Sequence, residues 1–96
     1  MIVEWSAQAA KNLEDIAVYV AQHNPEAARR LIDDLVDDTE AMLAAHPHAG
    51  RPGRVSGTRE WVAHKSYVVA YRIKDARVQV LAVVHSARLW PDEFGI

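Results

Sequence analysis

After the first helical turn the spacing of apolar residues changes period at the loop His46-Pro47-His48-Ala49-Gly50-Arg51-Pro52-Gly53. Two prolines and two glycines there predict a loop with no regular element. Upstream, Ala9, Leu13, Ile16 and Val20 recur at three- and four-residue intervals with Ala10 and Ala17 beside them, the stripe of an amphipathic helix. Ser6 precedes the run and caps it if its hydroxyl accepts from an amide of the first turn. The stripe lapses near Gln22–His23. Asn24-Pro25-Glu26 then restarts a helix, with Asn24 as cap, Pro25 at the first helical position and Glu26 favourable to the dipole. Ala28, Ile32, Leu35, Thr39 and Met42 form its apolar face, widened by Leu31 and Leu43. Asp33, Asp34, Asp37 and Asp38 fall on the other side. Residues 6–45 therefore predict a helical hairpin with one apolar side.

Elsewhere the period is two. Ile2–Trp5 reads as a short strand, and Arg59–His64 as the first strand after the loop. Tyr67–Ile73 alternates, with Tyr67, Val69, Tyr71 and Ile73 opposed by Val68, Ala70 and Arg72. Lys74-Asp75-Ala76-Arg77 predicts a tight hairpin turn. Val78–His85 is apolar on both faces, with Val78, Val80, Ala82 and Val84 opposed by Leu81, Val83 and His85, which marks an interior strand. A short tail follows Pro91. The order β-α-α-β-β-β predicts an α+β fold in which the helical hairpin covers one face of a small antiparallel sheet. The opposite, partly polar face is then left for binding. Trp5 and Tyr19 are most simply core. The 96 residues, 1–96, are expected to form a single domain.

Composition narrows the function classes. Cysteine is absent, which removes disulfides and thiolate chemistry. MIVEWS lacks the basic and apolar regions of a signal peptide, and the apolar runs fall well short of the ~20 residues that span a bilayer. A cytoplasmic protein with no membrane partner is expected. The net charge of −2 hides a split. Residues 1–49 carry nine acids against Lys11, Arg29 and Arg30, a net of −6; residues 50–96 carry eight bases against Glu60, Asp75, Asp92 and Glu93, a net of +4. Local fields govern docking, so the basic half suits an anionic partner. Unaided nucleic-acid binding is disfavoured, because such domains are usually strongly basic overall. His46 and His48 lack further ligands, and no metal site is expected.

The IVEWS start, the helix containing DIAVYV, the NPEAA restart, the approach HPHAGRPGRVSGTREW, then YVVAYRI and VLAVVHSAR occur in an order and spacing that resemble the RelE/ParE superfamily of type II toxin–antitoxin toxins. The resemblance runs nearly end to end. It implies the same α+β fold and a cognate antitoxin, encoded beside the toxin, whose flexible segment wraps and neutralises it. DNA would be met only indirectly, through that antitoxin. ParE-like members poison DNA gyrase, whereas RelE-like members cleave mRNA inside the ribosome.

RNA cleavage by 2′-hydroxyl attack needs no metal or cofactor. It needs a base, a cation for the phosphorane charge and an acid for the leaving oxygen. Candidates are Arg59, Glu60, Lys65, Arg72, His85 and Arg88; for a nuclease, the catalytic set would be Arg59, Arg72, His85 and Arg88. The resemblance also exposes a departure. Nucleases of this superfamily carry a phosphate-clamping arginine near the start of the strand that corresponds to Tyr67–Ile73, and Val68 stands there. Trp61 occupies a place that often carries a second base, and Trp90 and Phe94 cannot transfer protons. YRI followed by a strand ending in histidine is shared with ParE-like toxins. ParE-like inhibition of gyrase is therefore favoured. The alternatives are a ribosome-dependent mRNA endonuclease and an inactive toxin that survives as an antitoxin-binding co-repressor.

For antitoxin binding the candidates are Arg29 and Arg30 beside the apolar groove of the helices, Arg51, Arg54 and Arg59 as a basic patch, and Trp61, Arg72 and Trp90. Bidentate arginine–carboxylate pairs suit an acidic segment. Blander readings stand beside these: a solvated loop for Arg51 and Arg54, a strand-end hydrogen bond for His85, a salt bridge for Arg88, and packing for both tryptophans.

Overall fold

In the computed structural model, the described residues are 1–87, 90, 91, 93 and 94. Strand β1 (Ile2–Trp5) leads into helices α1 (Ala7–Ala21) and α2 (Pro25–Ala45), followed by β2 (Arg51–Pro52), β3 (Arg59–His64), β4 (Tyr67–Lys74) and β5 (Arg77–His85). Both helix starts follow the expected capping. Ser6 Oγ accepts from the Ala9 amide at 3.0 Å, and Asn24 Oδ1 from the Ala27 amide at 3.1 Å, with Pro25 in the first turn. The buried stripe of α2 runs through Ala28, Leu35, Thr39 and Leu43. Met42, expected on that face, lies at its exposed margin, because the four-residue step from Thr39 lands on Leu43.

The five strands lie in the order β1-β5-β4-β3-β2. Strands β2 to β5 are antiparallel to their neighbours, but β1 runs parallel to β5. The sheet is therefore mixed where an antiparallel one was expected. Tight turns impose antiparallel pairing only on consecutive strands, and β1 is separated from β5 by most of the chain. Strand β2 is a two-residue pairing inside the predicted loop, with Arg51 opposite Glu60 and Pro52 opposite Arg59. Proline is tolerated there because β2 is an edge.

A second departure changes which side chains share a face. Tyr71 pairs with Val80 but Ala70 pairs with Ala82, so Leu81 is an extra residue in β5. A bulge of this kind reverses the alternation beyond it. Val83 and His85 therefore return to the side of Val78 and Val80, opposite Val69 and Tyr67 respectively. Uninterrupted alternation had placed them with Leu81 on the other face.

The main core lies between the helices and the sheet. Ala9, Leu35 and Leu43 pack with Tyr67, Val69, Tyr71, Val78, Val80 and Val83, and Trp5, Trp61, Leu13 and Ile16 flank them. Tyr71 anchors the 46–50 loop: its hydroxyl donates to the Pro47 carbonyl at 2.8 Å and accepts from the Gly50 amide at 2.9 Å. Burial pushes the phenol's pKa up, against the Gly50 amide, which favours ionisation. A Cβ on Gly50 would sit 2.7 Å from the ring, so only glycine lets the loop approach this closely. The outer face of the sheet is less open than expected. Val68, Ala70 and Ala82 along its middle are almost fully withdrawn from solvent, as is Val55 in the β2–β3 loop. Among the described residues, no helix is long and apolar enough to cross a membrane.

Candidate functional site

The first feature of the site is built on the β2–β3 pairing. Glu60 is central to it, only 3% exposed. Its Oε2 accepts from the Arg54 amide at 2.8 Å and from Arg54 Nε at 3.1 Å. Its Oε1 accepts from Arg51 Nη2 at 3.2 Å and Arg54 Nη2 at 3.3 Å. Burial alone would raise the carboxyl's pKa, but the Arg54 amide and the two guanidinium groups outweigh it and hold the pKa below the ordinary value. The loop is held in place by its own bonds. The Gly53 amide donates to the Thr58 carbonyl at 2.7 Å, the Thr58 hydroxyl donates to the Val55 carbonyl at 2.6 Å, and Gly57 turns the chain at φ +78°.

Arg54 also reaches beyond the loop. Its Cζ lies 3.8 Å from the centroid of the Trp90 ring, a cation–π contact that ties the C-terminal segment to β3. Trp90 Nε1 is buried with no hydrogen-bond partner. Arg51 and Arg54, expected as a patch for an external acid, thus already share an internal one.

The other candidates do not converge. Arg59 pairs with Tyr71 across β3 and β4, and its Nη1 donates to the Gly50 carbonyl at 2.8 Å. Trp61, opposite Val69, packs against the core. Arg72 lies one position on from Tyr71 and therefore on the outer face, where its Nε donates to Gln79 Oε1 at 2.7 Å. Arg29 and Arg30 are exposed on α2, and Lys65 is exposed in the β3–β4 turn. His85 sits opposite Tyr67 with the rings T-shaped at 5.4 Å, and its Nδ1 accepts from the Ala87 amide at 3.1 Å. The five strand positions from Tyr67 to Arg72 place His85 about 17 Å along the sheet from Arg72. Arg88 lies outside the described residues.

A second feature escaped sequence reasoning. Strand β1 accompanies β5 only as far as Val80, so the C-terminal half of β5 has an edge without a strand neighbour. Helix α1 covers that edge. The Ser6 amide donates to the Val80 carbonyl at 2.9 Å, the Ser6 hydroxyl to the Leu81 carbonyl at 3.0 Å, and the Val83 amide to Asn12 Oδ1 at 3.1 Å. Outside this seam lies a cleft of about 390 Å³, lined by Gln8, Asn12, Asp15, Ile16 and Tyr19 of α1, Tyr67 of β4, Ala82–His85 of β5, and Pro91, Glu93 and Phe94. Tyr19, expected in the core, is 58% exposed and stands in this wall. The missed signal was its helical position: Tyr19 lies about 60° round the helix from Ile16, on the side away from Leu13 and Val20, at the edge of the apolar stripe. Among the described residues no group of three or more histidine or carboxylate side chains is placed to hold a metal ion.

Comparison with known proteins assigns this architecture. Residues 3–90 match the family model of the ParE toxin of the type II toxin–antitoxin system parDE. A candidate toxin of Sinorhizobium fredii, Y4kP, is 37% identical over 90 residues, covering 93% of this chain and 92% of its own. The chromosomal ParDE toxin–antitoxin system of P. aeruginosa contains a similar chain, with a TM-score of 0.78 and 28% identity over 88% of this chain and 95% of that one. The RelBE2 toxin–antitoxin complex of Mycobacterium tuberculosis shares the fold at a TM-score of 0.54 and 22% identity, with the same coverages. The fold is that of the RelE/ParE superfamily. The chain belongs to the ParE toxin family of type II toxin–antitoxin systems.

Proposed function

We propose that this toxin is held silent in the cytoplasm by a cognate antitoxin and, once released, arrests growth by acting on DNA gyrase rather than by cutting messenger RNA. The antitoxin partnership is supported by the ParDE and RelBE2 neighbours, which are toxin–antitoxin assemblies. The choice of gyrase rests chiefly on Val68. Where superfamily nucleases place a phosphate-clamping arginine, this chain has an apolar side chain only 3% exposed, paired with Val62 on one side and Val84 on the other. Such a position cannot stabilise a developing phosphorane charge. Three of the other candidates support the same reading, since Arg59 and Arg72 lie on opposite faces of the sheet and His85 stands at its far end.

The test is inducible expression without antitoxin, following DNA synthesis and protein synthesis separately over the first minutes. Early loss of DNA synthesis with translation intact, and gyrase-linked DNA breaks, are expected. Early loss of translation, with cleavage of message on programmed ribosomes by purified toxin, would replace this reading with a nuclease. Harmless expression would leave the co-repressor role.

A further inference from the structure

The cleft outside the seam between α1 and the C-terminal half of β5 has a chemistry unlike that of the basic half of the chain. Asp15 enters from α1 and Glu93 from the C-terminal segment, while Tyr19, Tyr67 and Phe94 give it aromatic walls. No lysine or arginine among the described residues lines it. A concave site with aromatic walls and two carboxylates complements a cation with an apolar stem: the rings attract positive charge through their quadrupoles, and the carboxylates accept its hydrogen bonds. It disfavours an anion, which would meet two like charges. The carboxylate from α1 is already tuned to a cation, for Asp15 Oδ1 accepts from Lys11 Nζ at 2.6 Å. That pair is exposed on both sides and spaced i to i+4, so it contributes little and yields readily to a competitor.

We infer that this cleft binds the side chain of an arginine or lysine presented by a protein partner. With the antitoxin partnership proposed above, on which the donor's identity rests, the donor is a basic residue flanked by apolar ones in the antitoxin's wrapping segment. Charge recognition then divides between two places. Arg51 and Arg54 share Glu60 while keeping about half of their side-chain surface exposed, so the β2–β3 loop offers cations, and the cleft offers carboxylates for a partner's positive charge.

The test uses the purified full-length toxin and two probes, acetyl-Leu-Arg-Leu-amide and acetyl-Leu-Glu-Leu-amide, titrated while backbone and tyrosine resonances are followed by NMR. The arginine peptide is expected to saturate with a millimolar-order Kd, moving Tyr19 and the Val83 amide, while the glutamate peptide does not bind. Asp15→Asn combined with Glu93→Gln, both exposed and so compatible with folding, is expected to weaken the arginine peptide about tenfold, a loss of about 1.4 kcal/mol. Lys11→Met is expected to strengthen it by releasing Asp15, a gain that a purely structural role for Asp15 would not give. Equal binding of the two peptides, no binding of either, or an unchanged affinity in the double variant would overturn the assignment. Co-purification of toxin with the antitoxin encoded beside it is scored separately. A stable complex with no arginine-peptide binding sinks the cleft assignment alone, and peptide binding without a complex sinks the antitoxin reading alone.

Discussion

Glu60 shows how a single residue can look catalytic in sequence and be structural in the fold. Beside arginines on a strand it has the composition of an acid–base group, yet it is buried and receives bonds from one amide and two guanidinium groups. Its folded pKa lies below the ordinary glutamate value, because the Arg54 amide and the two guanidinium groups outweigh the cost of burial. Its stabilisation is therefore complete above the unfolded value and is lost as pH falls through the folded one. Glu60→Gln keeps the shape, removes the charge and replaces one of the two accepting oxygens with an NH2 donor that faces the arginines. It is expected to cost about 1–3 kcal/mol at neutral pH, since bonds to a buried charged group are the strong ones. Urea unfolding should show wild type and variant converging at a pH below the folded pKa; a gap that persists there would mean the cost is packing. Thr39 is the opposite case. Fully buried on α2, its hydroxyl has no partner. Thr39→Val removes an unsatisfied polar group at nearly constant volume, so a gain of about 1 kcal/mol in the same urea experiment is expected.

At the level of elements, much of the fold was legible because local chemistry fixes it. Ser6 and Asn24 cap the two helices as their positions imply, and the β4 alternation survives intact. The faces of β5 were not legible. An unbroken run of apolar residues carries no mark of where a bulge falls, and the extra residue Leu81 moves Val83 and His85 to the helix side. The cleft was hidden for the same reason: it depends on where β1 stops pairing and on the path of the C-terminal segment, which are tertiary facts. The β4–β5 turn offers a test of local chemistry. Asp75 and Ala76 both adopt positive φ, 54° and 58°, the two-residue turn whose twist matches a hairpin. Alanine pays a steric cost there that glycine avoids. Ala76→Gly is expected to stabilise the protein by about 1 kcal/mol, or roughly 4–8 °C in Tm for a chain of this size. A lower Tm by calorimetry would show that the entropy of the unfolded glycine dominates.

Across the whole molecule, Arg54 connects parts that are far apart in sequence. It joins the carboxylate of β3 to the indole of Trp90, and the segment beyond Trp90 supplies Pro91, Glu93 and Phe94 to the cleft. One guanidinium therefore couples the β2–β3 loop to the wall of a site built mainly on α1 and β5. Lysine in its place would keep the charge but lose both the bidentate fork and the flat surface that stacks on the ring. If the coupling runs through Arg54, Arg54→Lys should shift the Trp90 indole resonance and the Phe94 ring signals. The indoles of Trp5, bonded to Glu40 Oε1 at 2.9 Å, and of Trp61, packed on the core, should stay in place. Stability should fall by about 1 kcal/mol, the scale of one exchanged charge-assisted contact. Movement of all three indoles would mean that Arg54 supports the whole fold, and no movement at Trp90 would mean that the segment is held from the cleft side instead. Because the stacked face of Arg54 is the shared element, only the first pattern makes the C-terminal segment a separable wall that a partner could order or displace without unfolding the sheet beneath it.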